Sequence, residues 1–291
     1  MQRGIAGLAA VVLAVGMAHA AEPVAAEKGA LVRVITRWDA GCDATNISDW
    51  DDMVRAWYND ITDDDAPGDG HGGKAYLHDG FYRNGNIVDS DFTDPVIVPW
   101  GMDDLDDHVD EPDVAMIALH GGEDPDDLRW RGRMRVNEPG DGNCRAYQGE
   151  MSFGETDLEF LHLSSCHSMD QDAWPKGKWG SSFNGLHQAN GFHGIMWISD
   201  WYSDRYEEFS DDAFDDPISE EWVESHYEGA FWPGEFDHCP VSRGVGSTRN
   251  DLWNRMDHEE YDNVFSDPAS DWWGVVYIEG CDPKSDPALP N

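Results

Sequence analysis

Basic residues are scarce in this sequence of 291 residues, which has 19 Lys and Arg against 59 Asp and Glu and a formal net charge of −40 at pH 7. Lysine occurs only at Lys28, Lys74, Lys176, Lys178 and Lys284. Because nucleic-acid binding depends on a basic surface, this composition excludes a nucleic-acid partner. Charge of one sign repels itself unless counter-ions screen it, so we expect a halophilic protein that is more stable in about 2 M than in about 50 mM salt.

Long apolar runs are missing after residue 20, so the sequence predicts no membrane helix, which needs roughly 18 to 20 such residues. Residues 1–20 read as a secretory signal peptide, with a basic Arg3, an apolar run over residues 5–17 and a small-residue cleavage site at Ala18-His19-Ala20. We therefore expect a secreted or periplasmic protein that has no membrane contact once the signal is removed.

The remaining chain has enough aromatic residues for a large core, with 14 Trp, 11 Phe and 9 Tyr. Disordered chains carry few such residues, so the acidic composition does not indicate disorder. After an N-terminal extension over residues 21–30, we predict a single domain over residues 31–281 and a proline-rich tail over residues 282–291. The sequence shows no internal repeat, and it does not indicate the oligomeric state.

Cysteine is sparse as well, and the odd number of five leaves at least one thiol unpaired if the others are bridged. Four cysteines lie in loop-like contexts, namely Cys42, Cys144, Cys239 and Cys281. Cys166 differs because it follows an apolar, strand-like block. Since an oxidising compartment favours bridging, we predict two disulfides among the four loop cysteines, with the three pairings left open, and a free thiol at Cys166.

Apolar runs and helical periodicity alternate along the domain. Strands are predicted at residues 31–38, 114–119, 158–163, 192–198 and 273–278, and helices at residues 48–61, 183–190 and 218–231. A short, polar stretch over residues 129–154 suits a small hairpin excursion. This alternation predicts an α/β sandwich with helices on both faces, and the uninterrupted apolar runs are typical of a mainly parallel sheet.

Two of the apolar strands run directly into reactive residues. Residues 114–119 are followed by His120-Gly121-Gly122, and residues 158–163 by Ser164-Ser165-Cys166. Active sites of open α/β sheets lie outside the carboxyl ends of the strands, and neighbouring strands lie about 4.8 Å apart. The sequence therefore predicts that the imidazole of His120 and the thiol of Cys166 share one site.

Such a pair has the chemistry of nucleophilic catalysis. A thiol with a pKa near ~8.5 is mostly protonated at neutral pH, whereas a nearby imidazolium favours the thiolate, which is the attacking species. The backbone N–H groups of Gly121 and Cys166 are candidates for an oxyanion hole. We predict a hydrolase without a cofactor that cleaves peptide or amide bonds through a thioester, with His120 protonating the leaving amine.

On these blocks the sequence resembles the caspase-like clan of cysteine peptidases, which includes caspases, metacaspases, legumain, gingipains and clostripain. The separation between His120 and Cys166 is near the roughly 50 residues described for caspases. The local caspase motif Gln-Ala-Cys-x-Gly is absent, since Ser165-Cys166-His167-Ser168 stands in its place. The resemblance implies a caspase-like three-layer sandwich with His120 and Cys166 as the catalytic dyad.

The chain also resembles an uncharacterised domain-of-unknown-function family of exported bacterial proteins. This second resemblance rests on the His120-Gly121-Gly122 block, on Leu163 to Cys166 and on Phe183-Asn184-Gly185-Leu186-His187. It carries no activity with it. A catalytically silent binding or structural protein on the same fold is therefore an open alternative to the hydrolase.

A metal site is a second alternative. His120, His162, Cys166, His167 and Asp170 contain ligand types that suit zinc or copper. Calcium is a further candidate, because the acidic, glycine-rich residues 62–73 loosely resemble a calcium-binding loop, although a proline stands where a ligand is required.

Accessory roles near the dyad are predicted for four residues, namely Ser165, His167, Asp170 and His187. Of these, His187 is a candidate to orient the imidazole of His120. We expect a peptide or protein substrate. The acidic surface favours basic side chains beside the scissile bond, but no residue of the sequence identifies the substrate pocket.

Overall fold

A computed structural model of the chain describes residues 28–62, 76–136, 144–174, 176–232 and 235–291. The predicted signal peptide, most of the N-terminal extension and residues 63–73 of the acidic loop lie outside the described residues. Within the described ranges, no helix has both the length and the apolar character needed to cross a membrane.

The core of the molecule is a seven-stranded sheet with the spatial order β10-β9-β8-β7-β3-β1-β2. Its strands are β1 (Gly29–Val34), β2 (Leu77–Arg83), β3 (Val114–Ala118), β7 (Phe160–Ser164), β8 (Gln188–His193), β9 (Cys239–Gly246) and β10 (Trp272–Tyr277). The five strands β2, β1, β3, β7 and β8 are parallel to one another. Strand β9 is antiparallel to β8, and β10 is antiparallel to β9. The predicted α/β class with a mainly parallel sheet is confirmed.

The helices are α1 (Asp49–Ile61), α2 (Lys176–Trp179), α3 (Ser203–Asp212), α4 (Ile218–His226) and α5 (Arg249–Met256). The ring of His162 on β7 contacts aromatic rings of α1, α3 and α4, at centroid distances of 5.8 Å to Trp57, 5.1 Å to Phe209 and 5.4 Å to Trp222. Helix α5 covers Gly244 on the same face of the sheet. The four longer helices therefore pack on one face.

The other face carries the four-residue α2, irregular turns and a second sheet of three short strands. These are β4 (Gly121–Glu123), β5 (Trp130–Arg133) and β6 (Arg145–Tyr147), joined in antiparallel order. The predicted hairpin excursion is thus a three-stranded sheet. Asp, Gly and Pro are frequent in the segments on this face, and these residues favour turns over helices. The sandwich is asymmetric for that reason.

Several predicted boundaries are wrong. Residues 188–193 form strand β8, where a helix was predicted over 183–190, because they pair with β7 and because Gly185 adopts a φ of +117° that ends regular structure. Strands β2 and β9 and helices α3 and α5 were not predicted. Strand β9 contains small residues and only two valines, so it lacks the apolar run that identifies the other buried strands.

Both predicted disulfides are confirmed. Cys42 is bonded to Cys144, and Cys239 to Cys281, which leaves Cys166 as the free cysteine. The first bridge joins the loop after β1 to the start of β6. The second joins the start of β9 to Cys281, which follows β10. Residues 282–291 fold back onto the domain, with Leu289 almost fully buried.

Candidate active site

The two strands that carry the predicted dyad are neighbours. Strands β3 and β7 pair in parallel, and Ala118 lies opposite Ser164 in their register. His120 and Cys166 each follow two residues after that pair, so the two residues leave the sheet at the same level of the same edge. Because this edge holds the carboxyl ends of parallel strands, it is where ligands bind in open α/β folds.

His120 is partly buried between aromatic rings. Its ring centroid lies 4.6 Å from that of Trp38 and 5.0 Å from that of Trp50. Its Nε2 lies 2.8 Å from the backbone carbonyl oxygen of Thr45, and since a carbonyl can only accept, Nε2 carries the proton. Burial lowers the pKa of His120. In the neutral form, Nδ1 is therefore the nitrogen that can act as a base.

Cys166 lies in the turn after β7 and is partly exposed. Burial of the sulfur raises the pKa of the Cys166 thiol to about 11, and the carboxylate of Asp170 adds to this, while the backbone N–H of Met196 opposes it. The expectation that an imidazolium stabilises the thiolate is therefore corrected. Both shifts favour the uncharged forms of the thiol and the imidazole at neutral pH.

No hydrogen bond joins the side chains of Cys166 and His120 within the described part of the chain. Such bonds are often long in the absence of substrate and tighten in the reacting complex. The structure places both residues just after the carboxyl ends of two paired strands.

Gly121 is the residue that brings the two strand ends together. A Cβ at this position would lie less than 3.0 Å from the backbone oxygen of Cys166, from Oγ of Ser165 and from Nε1 of Trp130. The backbone N–H of Arg133 donates to the carbonyl of His120, so the alternation of the antiparallel ladder turns the Gly121 N–H away from β5. This orientation agrees with its predicted role in an oxyanion hole.

Ser165 has a structural position, which corrects its predicted accessory role. It is fully buried, and its Oγ accepts a hydrogen bond of 3.2 Å from Nε1 of Trp130. Its carbonyl accepts a 2.7 Å bond from Oγ of Ser168, which in turn accepts one of 2.9 Å from the backbone of Phe192. These bonds fix the turn that presents Cys166.

His167 and Asp170 belong to an ion-pair cluster next to Cys166. Nδ1 of His167 lies 2.9 Å from Asp170 and 3.0 Å from Asp286, and Nδ1 of His193 lies 3.1 Å from Asp170. Although burial opposes it, bonding to Asp170 and Asp286 raises the pKa of His167 to about 10, and the histidines lower the pKa of Asp170 to about 2. The cluster fastens residues 282–291 to the turn after Cys166.

His187 lies at the opposite edge of the sheet, and its predicted role in orienting His120 is wrong. It directly precedes Gln188, which pairs with Phe160 at the start of β7, whereas Cys166 follows the end of that strand. Its Nδ1 lies 2.9 Å from Glu259 in a fully buried pair. The group that orients His120 is the Thr45 carbonyl, which no side-chain pattern in the sequence could have indicated.

The predicted zinc or copper site does not assemble in the described part of the chain. Both ring nitrogens of His162 are engaged, with Nδ1 3.0 Å from the Asn190 amide and Nε2 2.8 Å from the Tyr261 hydroxyl. His167 and Asp170 do form a group with Asp286, in which one possible ligand atom of each residue lies within 4.8 Å of the others. His120 and Cys166 are not part of that group.

A pocket of about 250 Å³ opens beside His120. Its lining includes three arginines, namely Arg131, Arg133 and Arg145, and we call it the arginine pocket. Arg133 and Arg145 face each other across β5 and β6, and Arg131 projects from the same face of β5. Like charges directly opposite each other destabilise a sheet, so an anion bound here would add to the stabilisation from Asp43, which also lines the pocket.

Charge balance within the arginine pocket is incomplete. Burial, Arg145 and Arg131 lower the pKa of Arg133, whereas Asp43 opposes them. Nη1 of Arg133 donates a 2.7 Å bond to the carbonyl of Cys42. Among the described residues, Arg131 and Arg145 form no ion pair within 4.0 Å. The disulfide between Cys42 and Cys144 ties the two walls of the pocket together, since its ends directly precede Asp43 and Arg145.

These features define an α/β protein with a cysteine and a histidine at one sheet edge and a pocket lined by three arginines beside the histidine. Residues 56–265 match the family described as a domain of unknown function (DUF6345), and the chain belongs to that family. The predicted resemblance to an uncharacterised family is confirmed. No curated protein matches the chain.

Proposed function

We propose that this protein is a caspase-like cysteine hydrolase, a peptidase or amidase, with Cys166 as nucleophile and His120 as general base. The observation that carries the proposal is the register of β3 and β7, which delivers both residues to one edge in a fold of the predicted class. The free thiol and the close approach of Gly121 to the Cys166 turn support it. We further propose that the protein is exported, which its two disulfides favour.

The proposed reaction begins from the neutral pair. As the sulfur of Cys166 attacks the substrate carbonyl, its proton passes to Nδ1 of His120, which is unprotonated because Nε2 donates to Thr45. The N–H groups of Gly121 and Cys166 hold the oxyanion. His120 then protonates the leaving amine, the C–N bond breaks and a thioester remains. Water hydrolyses the thioester, which releases the acid and restores the thiol.

The arginine pocket names the substrate class under this proposal. It is smaller than the roughly 300–1,000 Å³ of pockets that bury a whole small ligand, so it suits one side chain. Guanidinium groups bind carboxylates with two parallel hydrogen bonds. We propose that an acidic side chain beside the scissile bond occupies the pocket, in place of the basic one expected from the overall charge.

Fluorogenic peptide amides that differ only in the residue before the scissile bond test the proposal. We expect cleavage after Asp or Glu, at least about tenfold faster than after Asn or Gln, because each charge-assisted bond contributes about 1.5–3 kcal/mol. Cys166→Ala and His120→Ala should each abolish it. Trapping the thioester on Cys166 by mass spectrometry identifies the nucleophile. A library without any cleaved member, at any salt concentration that keeps the protein folded, would contradict the hydrolase.

A catalytically silent binding protein is the second candidate, and the raised pKa of the Cys166 thiol favours it. The two candidate functions predict different effects of His120 on the rate at which Cys166 is alkylated. For a hydrolase, alkylation of Cys166 by a substrate-like chloromethyl ketone should slow strongly in His120→Ala. For a silent protein, His120→Ala should leave alkylation unchanged, while acidic peptides still bind to the arginine pocket.

A further inference from the structure

Three carboxylates converge away from the Cys166 edge, near the start of β7. They form what we call the aspartate cluster, made of Asp94, Asp103 and Asp104, and one oxygen from each lies within 4.8 Å of the others. The cluster belongs to the turns that precede β3. Asp110 packs beside it and anchors these turns, because it accepts hydrogen bonds from the backbone of Gly154 and Thr156.

Asp103 is the exceptional member of the cluster. Its side chain is completely buried, and neither carboxylate oxygen has a hydrogen-bond partner among the described residues. The neighbouring Thr93 is also fully buried, and its hydroxyl has no partner there. Buried polar groups are normally bonded, so these atoms indicate a missing ligand.

Within the described part of the chain, Asp103 lacks the basic partners that another buried aspartate, Asp91, has. Asp91 is almost as buried, but it lies 2.8 Å from the guanidinium of Arg33 and 3.3 Å from the ring of His108. No arginine, lysine or histidine of the described residues lies within 4.0 Å of the aspartate cluster. The chain thus pairs one buried aspartate with a cation of its own and leaves Asp103 without one.

We propose that Asp94, Asp103 and Asp104 bind one calcium ion. Calcium takes oxygen ligands at roughly 2.3–2.6 Å, so two of its ligands lie up to about 5 Å apart, which agrees with the span of the cluster. Magnesium takes ligands at about 2.0–2.1 Å and keeps several waters, which suits a completely buried carboxylate less well. The ion holds together the turns that precede β3, and its role is structural.

Calcium titration of the full mature chain tests this site, with Cys166→Ala as the background so that the result does not depend on the proposed hydrolase. Protein stripped with a chelator is titrated in about 1 M sodium chloride, which screens diffuse binding to the acidic surface. We expect one saturable binding event and a rise in Tm on calcium addition, while equal magnesium gives a rise at least several-fold smaller.

Asp103→Asn identifies the ligand. It should weaken calcium binding at least tenfold and remove the rise in Tm on calcium addition, because one carboxylate ligand is lost. Asp106→Asn, an exposed change in the same turns, should bind calcium as before. If Asp103→Asn does not fold, Asp104→Asn, which is partly exposed, should weaken binding several-fold. Unchanged affinity in Asp103→Asn, or in Asp104→Asn where that substitute is used, overturns the proposal.

Discussion

The arginine pocket and the aspartate cluster lie in one chain of net charge −40, yet they concentrate opposite charges. In the pocket, three of the few basic residues meet beside His120, although acidic partners are abundant elsewhere. In the cluster, carboxylates meet where no basic residue of the described ranges lies within 4.0 Å. The comparison teaches that the net charge of a protein describes its surface on average, while ligand preference depends on which charges are left unbalanced together.

The strongest test of the comparison is to reverse one charge of the pocket. In Arg145→Glu, kcat/KM for a substrate with an acidic side chain should fall by about 10³, because two charges at 4 Å interact by about 4 kcal/mol at an effective dielectric constant of 20. Calcium binding should stay unchanged. Arg249→Glu, an exposed change at the start of α5, is the matched control and should leave both values as they are. Equal losses in the two variants would remove the pocket from the substrate site.

The next largest effect is expected from removing one of the two disulfides, because only one of them borders the arginine pocket. Loss of either bridge should lower the free energy of unfolding by about 2–5 kcal/mol, because each closes a long loop of the unfolded chain. Only the pair Cys42→Ser and Cys144→Ser should also raise KM for acidic substrates, since this bridge joins the walls of the arginine pocket. Cys239→Ser with Cys281→Ser is the matched control. A similar KM in both double variants would contradict this role.

Two adjacent glycines provide a finer test at the pocket. Gly121→Ala should cost about 1–3 kcal/mol of stability and most of the activity, because its methyl group would overlap the Cys166 turn. Gly122→Ala adds the same methyl group where no atom lies within 4 Å. We expect near-normal stability and activity there, measured by denaturant unfolding and peptide cleavage. Comparable damage from both changes would argue against close packing of Gly121 as the cause.

The smallest expected effect is on the pH dependence of cleavage. A protonated His120 cannot accept the thiol proton, and burial lowers its pKa below the usual 6.5. Activity should therefore persist as the pH falls to 6.5 and decline only below that value, about tenfold for each further unit once His120 is protonated. Alkylation of Cys166 by a small reagent should instead rise steadily toward pH 11. An activity that peaks well below pH 6 would contradict the neutral dyad.

Much of the fold could be predicted because its central strands carry a strong signal. Residues 114–119 and 158–163 are continuous apolar runs, and both contribute strands buried in the sheet. Strand β9 was not predicted because its sequence reflects packing against helix α5. This helix packs closely on β9, so small residues such as Gly244 and Gly246 are needed there. Single-sequence periodicity contains no information about such contacts.

Of the candidate site, the sequence could predict only the reactive side chains that lie near the ends of apolar strands. His120, Gly121 and Cys166 were predicted as candidates because they lie within three residues of the ends of apolar runs. Thr45 was missed because it acts through its backbone carbonyl, which any residue supplies. The alternating arginines between residues 129 and 135 were visible in the sequence, but their convergence depends on the pairing of β5 with β6 across an intervening loop. The aspartate cluster was hidden among 59 acidic residues.

The two indole rings around His120 give the site an optical property of its own. Trp38 and Trp50 lie within 5.0 Å of the imidazole, and a charged imidazolium quenches indole emission far more than a neutral ring does. The intrinsic fluorescence of the unlabelled protein should therefore record when His120 gains a proton or when a ligand displaces it. Substituting either tryptophan by phenylalanine would assign the signal.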